Sequence, residues 1–124
     1  MMTYLRHVKR KLPVALDDFK PDIVVYNAGT DILIGDPLGI LDITDEGVMQ
    51  GDEIVFQEVK ARNIPLFMVT SGGYQRNNAQ VIANSIHNLY TKKLITSPDP
   101  TSEDIHDEQE SMETEENKGA TPNN

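Results

Sequence analysis

Apolar side chains in the first part of the chain recur with the period of an α-helix. Those that fall on a single face are Leu5, Val8, Leu12, Ala15, Leu16 and Phe19. Their spacing predicts an amphipathic first helix. Pro13 lies within the pattern and has no backbone N–H, so we expect either a kink there or a helix that properly starts near Pro13. Lys20-Pro21 should end this helix.

Two short apolar runs, Ile23–Tyr26 and Pro65–Val69, lack the alternation with polar residues that a half-exposed strand shows. They predict strands of a parallel sheet that is covered on both faces. Between them, glycines recur from residue 29 to residue 51. This segment therefore predicts a long loop, interrupted by one short helical turn near Thr44.

A second helix should begin at Asp52-Glu53, where acidic side chains suit a helix amino terminus, and should run to Arg62-Asn63. A third helix is predicted by an apolar stripe made of Ala79, Ile82, Ala83, Ile86, Leu89 and Tyr90. The order helix, strand, loop, helix, strand, helix predicts an α/β fold in which parallel strands have flanking helices. Two strands make a narrow sheet, so we expect this fold to be part of a larger one.

Ligands of open α/β sheets bind beyond the carboxyl ends of the strands. Asp31 follows the first predicted strand and Tyr74 follows the second, so both should reach the same edge. An aspartate in this position is also a common turn former or helix cap. The segment 71–73, Ser-Gly-Gly before a helix, could instead bind an anion, although it lacks the spacing of the known phosphate-binding loops. Asp36 lies in a Gly-Asp-Pro turn and is predicted to accept hydrogen bonds that stabilise the loop.

Composition narrows the classes of protein and of site. The 124 residues suffice for one small domain or a part of one, and the absence of cysteine excludes disulfides, thiolate metal ligands and a catalytic thiol. No apolar stretch approaches the roughly 20 residues of a membrane span, so we expect no membrane partner. Residues 97–124 contain nine acids and one lysine, which predicts an acidic disordered tail. The near-neutral remainder makes direct nucleic-acid binding unexpected.

Three stretches of the sequence carry a resemblance to a known family. They are Asp22–Leu33, Gly35–Gly39 and Val69–Gln75, in this order and with a helix between the second and the third. Together they resemble the last part of class IV histone deacetylases, over roughly residues 3 to 95. Residues 1–96 would then be the carboxy-terminal part of a histone deacetylase catalytic domain.

The resemblance implies the arginase/deacetylase α/β fold, one catalytic Zn²⁺ and hydrolysis of an acyl-lysine amide. It implies that Asp31 is a zinc ligand and that the Tyr74 hydroxyl points at the substrate carbonyl. Leu38, Gly72 and Gly73 would line the acyl-lysine channel. Acyl-lysine proteins such as histones are the implied substrates, full-length deacetylase or corepressor subunits are possible partners, and the nucleus or the cytoplasm is the expected location.

Other parts of that family's site are missing from this sequence. It contains no Asp-x-His segment ahead of Asp31 and no His-His pair, and His7, His87 and His106 are placed as structural or exposed residues. A catalytic zinc generally has three protein ligands, so the chain alone should not be an enzyme. Two hypotheses remain open: a truncated piece of an active zinc hydrolase, or a noncatalytic interaction module or truncated isoform built on the deacetylase scaffold.

Overall fold

The computed structural model describes residues 2–97 of the chain. The predicted acidic tail lies outside the described residues from residue 98 onward. Five elements follow one another, and their predicted order is confirmed: α1 (Met2–Phe19), β1 (Val24–Asn27), α2 (Asp45–Ala61), β2 (Leu66–Val69) and α3 (Asn78–Thr91). The two strands pair in parallel, from Val24 opposite Leu66 to Asn27 opposite Val69. The described residues are thus a small α/β unit whose crossover helix is α2.

The first helix begins well before Pro13, although one of the two predictions for this helix was a start near that proline. α1 runs without a break through Pro13, so a start near Pro13 is wrong. Both halves of the helix are held by packing, because Leu5 and Leu16 are buried on either side of the proline. The helix ends as predicted, with Lys20 at a left-handed φ of 51° and its N–H 2.9 Å from the carbonyl oxygen of Leu16.

The second helix begins at Asp45, so the predicted start at Asp52 is wrong. Thr44 caps it, since the Thr44 hydroxyl accepts a hydrogen bond from the N–H of Gly47 at 3.2 Å. Gly47 and Gly51, which suggested a loop, are buried positions inside the helix. A Cβ atom at Gly51 would lie 2.7 Å from the Tyr4 hydroxyl. Glycine here therefore permits α1 and α2 to approach closely rather than breaking the helix.

The sheet is covered on one face only, and the prediction of cover on both faces is wrong for the described residues. Burial alternates along both strands. One face carries Val24, Tyr26 and Leu66, which pack against the buried side chains of Leu16, Val55 and Val59. On the other face, Val25 is 57% exposed and Phe67 is 49% exposed.

The third helix also turns a different face inward from the one that its apolar stripe predicted. Its buried residues are Val81, Ser85 and Leu89, whereas Ile86 and Tyr90 are exposed. The predicted stripe is thus correct for Leu89 but wrong for Ile86 and Tyr90, and also for Ala79 and Ala83, which are exposed. The difference arises because Ser85, a polar residue, is buried through a hydrogen bond to α2.

The loop between β1 and α2 has a small core of its own. Leu33 and Ile43 form an isolated parallel bridge and pack with Val48 of α2 and Val81 of α3. This core fixes the segment that follows β1 against both helices. Among the helices of residues 2–97, none combines the length and the apolar character needed to cross a membrane.

Candidate active site

A cavity of about 400 Å³ opens at the carboxyl ends of the two strands. Asp31, Gly72 and Tyr74 line it together with Tyr4 and Tyr26. The structure thereby places Asp31 and Tyr74 at one edge of the sheet, as the order of the strands predicted. Leu38 and Gly73 are not among the lining residues. A slightly larger depression between Leu16 and Ile64 contains none of the candidate site residues predicted from the sequence.

Asp31 presents a carboxylate that has no hydrogen-bond partner within residues 2–97. The carboxylate is half-buried and lies against the backbone of the loop that follows β2. A Cβ atom at Gly72 would be 2.8 Å from Asp31 Oδ2, and Gly72 has a φ of 69°, which favours glycine. The two loops therefore meet at Asp31 only because residue 72 lacks a side chain.

Two other glycines allow the loops to pack around Asp31. A Cβ atom at Gly39 would overlap the carbonyl oxygen of Asp31, and one at Gly29 would overlap the carbonyl oxygen of Ser71. Both contacts are with backbone atoms, which cannot rotate away as a flexible side chain can. The glycine-rich pattern thus reflects close approach between the segments that carry Asp31 and Tyr74.

Asp36 joins these two segments by hydrogen bonds. Its Oδ1 accepts from the N–H groups of Leu38 at 2.9 Å and Gly39 at 2.8 Å, and its Oδ2 accepts from the N–H of Tyr74 at 2.9 Å. Desolvation raises the pKa of Asp36, but the bonds from these three N–H groups outweigh it and hold the pKa below its usual value. The prediction that Asp36 stabilises the loop is confirmed.

Tyr74 is fixed through its backbone while its side chain stays accessible. The side chain is 57% exposed, and its hydroxyl has no hydrogen-bond partner in the described range. The next residue, Gln75, anchors the segment by donating from Nε2 to the carbonyl oxygen of Ile34 at 2.6 Å. A tyrosine held in this way can donate its hydroxyl to a group bound in the cavity. Leu38, by contrast, is 70% exposed outside the cavity lining.

A buried polar network connects Tyr26, one of the residues that line the cavity, to side chains of α2 and α3. The Tyr26 hydroxyl donates to Asp52 Oδ1 at 2.6 Å, and the Ser85 hydroxyl donates to Asp52 Oδ2 at 2.5 Å. Burial raises the pKa of Asp52 although both hydrogen bonds lower it. Burial first, and then the charge of Asp52, raise the pKa of Tyr26 and of Tyr4. Both phenols thus stay protonated at neutral pH.

The histone deacetylase domain model matches residues 1–90, which is most of the chain. The chain belongs to the histone deacetylase family. Among its relatives, histone deacetylase 2 of Arabidopsis thaliana is 53% identical over 92 residues, which are 74% of this chain and 24% of that protein. Histone deacetylase clr6 of Schizosaccharomyces pombe is 39% identical over 64 residues, 51% of this chain and 15% of that protein. Human histone deacetylase 1 is 36% identical over 63 residues, 51% of this chain and 12% of that protein.

This member of the histone deacetylase family spans about a quarter of the length of the Arabidopsis relative. Its family membership accounts for the α/β architecture with parallel strands. The family is one of hydrolases. The comparisons support the family rather than one class within it, because histone deacetylases of several kinds match the chain.

The donor set of the cavity is compatible with a zinc ion only in part. Asp31 supplies an unpaired carboxylate, a suitable zinc ligand, but residues 2–97 contain no group of three or more His, Cys, Asp or Glu residues that could hold a metal ion. His7 and His87 are exposed and do not line the cavity, and His106 lies outside the described residues. Any zinc held at Asp31 therefore needs further ligands from elsewhere.

The sequence did not predict four residues of the cavity lining and the polar network beside it: Tyr4, Tyr26, Asp52 and Ser85. Asp52 could have been found, because it continues the helical spacing of Val48, Val55 and Val59 on the buried face of α2. The prediction that α2 starts at Asp52 concealed this spacing. The Ser85 and Tyr26 hydroxyls carry no comparable signal, since their common partner is known only once α2 and α3 are in place.

Proposed function

We propose that this chain is the carboxy-terminal part of the catalytic domain of a class IV, zinc-dependent lysine deacetylase. The reaction would be hydrolysis of acyl-lysine amides on histones or other proteins. The observation that carries the proposal is the shared cavity of Asp31 and Tyr74. An unpaired carboxylate and an accessible phenol face one space at the strand ends, as a metal ligand and an oxyanion donor would.

The two residues have separate roles in this proposal. Asp31 is a metal ligand and contributes negative charge without donating a hydrogen bond. Zinc, when bound, polarises a carbonyl group and acidifies water. The Tyr74 hydroxyl donates to the oxygen that gains negative charge as the amide is attacked, and losing a single such donor typically lowers the rate by about 10²–10³-fold. Asp36 maintains the distance between the two segments through its bond to the Tyr74 N–H.

Further aspects of the proposal rest on the resemblance. The sequence Asn27–Asp31 followed by Ser71–Tyr74 supports class IV. Gly72, Gly73 and Leu38 belong to the acyl-lysine channel; of these, Gly72 lines the cavity. Acyl-lysine proteins are the substrates, with full-length deacetylase or corepressor subunits as partners, in the nucleus or the cytoplasm.

The described residues supply only part of a working site. One carboxylate cannot fix a tetrahedral zinc, and the cavity lining includes no histidine that could serve as general base or acid. The open sheet face at Val25 and Phe67 is where further parts of a deacetylase domain would pack. We therefore expect the 124-residue chain alone to be inactive and to bind zinc weakly.

Complementation tests this proposal directly. The chain is co-expressed with the part of the Arabidopsis relative that it does not match, and solubility, zinc content and hydrolysis of an acetyl-lysine peptide are measured. The three properties should rise together. Stoichiometric submicromolar zinc binding or turnover by the chain alone would refute the incomplete site.

The alternative function is a noncatalytic interaction module on the deacetylase scaffold. The exposed apolar sheet face favours it as a candidate. If the chain is such a module, co-expression with the unmatched part of the Arabidopsis relative should raise its solubility. Its zinc content and its deacetylase activity should not rise. The same complementation experiment therefore distinguishes the two functions.

A further inference from the structure

The first half of α1 carries a cluster of cations that have no counterion in the described part of the chain. Arg6, Lys9 and Arg10, here called the basic surface, line a shallow depression of about 460 Å³ together with Leu5. All three are exposed. None forms a salt bridge or a side-chain hydrogen bond with another residue in the range 2–97.

Two other cations of the same fold are paired. Arg62 Nε lies 2.7 Å from Asp17 Oδ1, and Lys92 Nζ lies 2.9 Å from Glu53 Oε1. The first acidic residue of α1 is Asp17, so the basic surface has no acidic neighbour within one turn on its own helix. A cluster of like charges in this state repels itself and attracts an anionic partner.

An anionic partner is present in the same chain. Nine acidic residues and only Lys118 as a base lie beyond residue 97: Asp99, Glu103, Asp104, Asp107, Glu108, Glu110, Glu113, Glu115 and Glu116. We propose that the acidic segment 99–116 binds the basic surface of α1. The proposal does not depend on deacetylase activity.

The connection between the two is short enough. The carbonyl oxygen of Leu94 accepts a hydrogen bond from Lys60 Nζ at 2.7 Å, so the chain leaves α3 beside α2. α1 packs on the same helix through Leu16, Val55 and Val59. A peptide of 20 residues has a root-mean-square span of about 25 Å. This span is close to the length of a 17-residue helix such as α2, roughly 26 Å.

Weak pairs suffice because the partners are tethered. Individual exposed ion pairs are weak, but two groups joined by a short tether meet at an effective concentration of about a millimolar. An affinity of similar size is then enough for substantial occupancy. The interaction should weaken with salt, because the Debye length falls from about 10 Å at 0.1 M to about 3 Å at 1 M.

Zero-length carbodiimide coupling on the full 124-residue chain, analysed by mass spectrometry, tests the proposal. The reagent joins a lysine amine to a carboxylate only when the two are in contact. We expect intrachain links from Lys9 to acids in the segment 103–116, reduced at least threefold by 0.5 M NaCl. Arg10→Glu should reduce these links about threefold, whereas the matched control Arg76→Glu, an exposed arginine without an ion pair, should not.

Several outcomes would overturn the proposal. Links confined to Lys92, Lys93 and Lys118, the lysines nearest to the segment in sequence, would show that proximity along the chain is the sole cause. Equal yields from Arg10→Glu and Arg76→Glu, or no effect of salt on the unaltered chain, would also contradict it. A mixture of ¹⁴N- and ¹⁵N-labelled chains separates intrachain from interchain links. Mainly interchain links would mean that the basic surface binds the acidic segment of a second copy instead, which would contradict the proposal.

Discussion

Asp52 is the residue whose replacement should show most clearly how the described fold is held together. Its side chain is 5% exposed and accepts hydrogen bonds from Tyr26 and Ser85. Asp52→Ala leaves two hydroxyls without their acceptor, and each buried unsatisfied group costs about 1–3 kcal/mol. Because Tyr26 is only half-buried and can regain water, we expect a loss of about 2–4 kcal/mol in the free energy of unfolding.

Asp52→Asn should behave differently. The amide oxygen can accept from Tyr26, and the amide nitrogen can donate to the Ser85 oxygen after the hydroxyl rotates. Substitution by asparagine also removes the free-energy cost of burying a charged carboxylate. That cost is the main reason that the pKa of Asp52 is raised. These effects oppose any loss of hydrogen-bond strength, so the change should stay within about 1 kcal/mol.

The same pKa shift gives a pH test with a definite sign. A carboxyl group whose pKa is higher in the folded state contributes stability that is complete below its unfolded pKa and is lost as pH rises through the folded value. The unaltered chain should therefore be more stable relative to Asp52→Asn at acid pH than at pH 7.

Urea unfolding of the full chain, followed by far-ultraviolet circular dichroism at several pH values, tests these predictions. It measures the stability of Asp52→Ala, the stability of Asp52→Asn and the dependence of both differences on pH. Asp18→Ala, at an exposed α1 position with no described ion pair, is the matched control and should change stability by less than about 0.5 kcal/mol. The reasoning is refuted if Asp52→Ala is as mild as Asp18→Ala, or if Asp52→Asn is as damaging as Asp52→Ala.

Three further predictions concern the loops and the acidic segment. Gly39→Ala places a Cβ atom against the carbonyl oxygen of Asp31 and should lower stability by about 1–3 kcal/mol; an unchanged thermal midpoint would contradict the close packing. The lowered pKa of Asp36 gives stability that is present above the unfolded pKa of about 3.9 and is lost as pH falls through the folded value. Asp36→Asn should remove that acid dependence in denaturation at pH 2–6. Deleting residues 97–124 should change the unfolding free energy by less than about 1 kcal/mol, since exposed ion pairs contribute little, and a larger loss would show that the segment packs.

Local patterns predicted the order of the elements, and tertiary contacts account for the differences in their bounds and buried faces. Both strands were predicted from short apolar runs, and Asp31 and Tyr74 were expected together because carboxyl ends of parallel strands meet at one edge. The start of α2 was missed because Gly51 suggests a loop until the Tyr4 ring beside it is known. Ser85 was missed because its burial depends on Asp52 of another helix.

The account's central claim, that Asp31 holds the metal and Tyr74 acts on the substrate, is tested most directly by zinc content. Asp31→Asn and Tyr74→Phe are prepared in the complemented enzyme, and bound zinc is measured by atomic absorption beside acetyl-lysine hydrolysis. Both variants should lose activity, but only Asp31→Asn should lose zinc, because the Tyr74 hydroxyl is assigned to the oxyanion. Loss of zinc from Tyr74→Phe with full retention in Asp31→Asn would contradict the account.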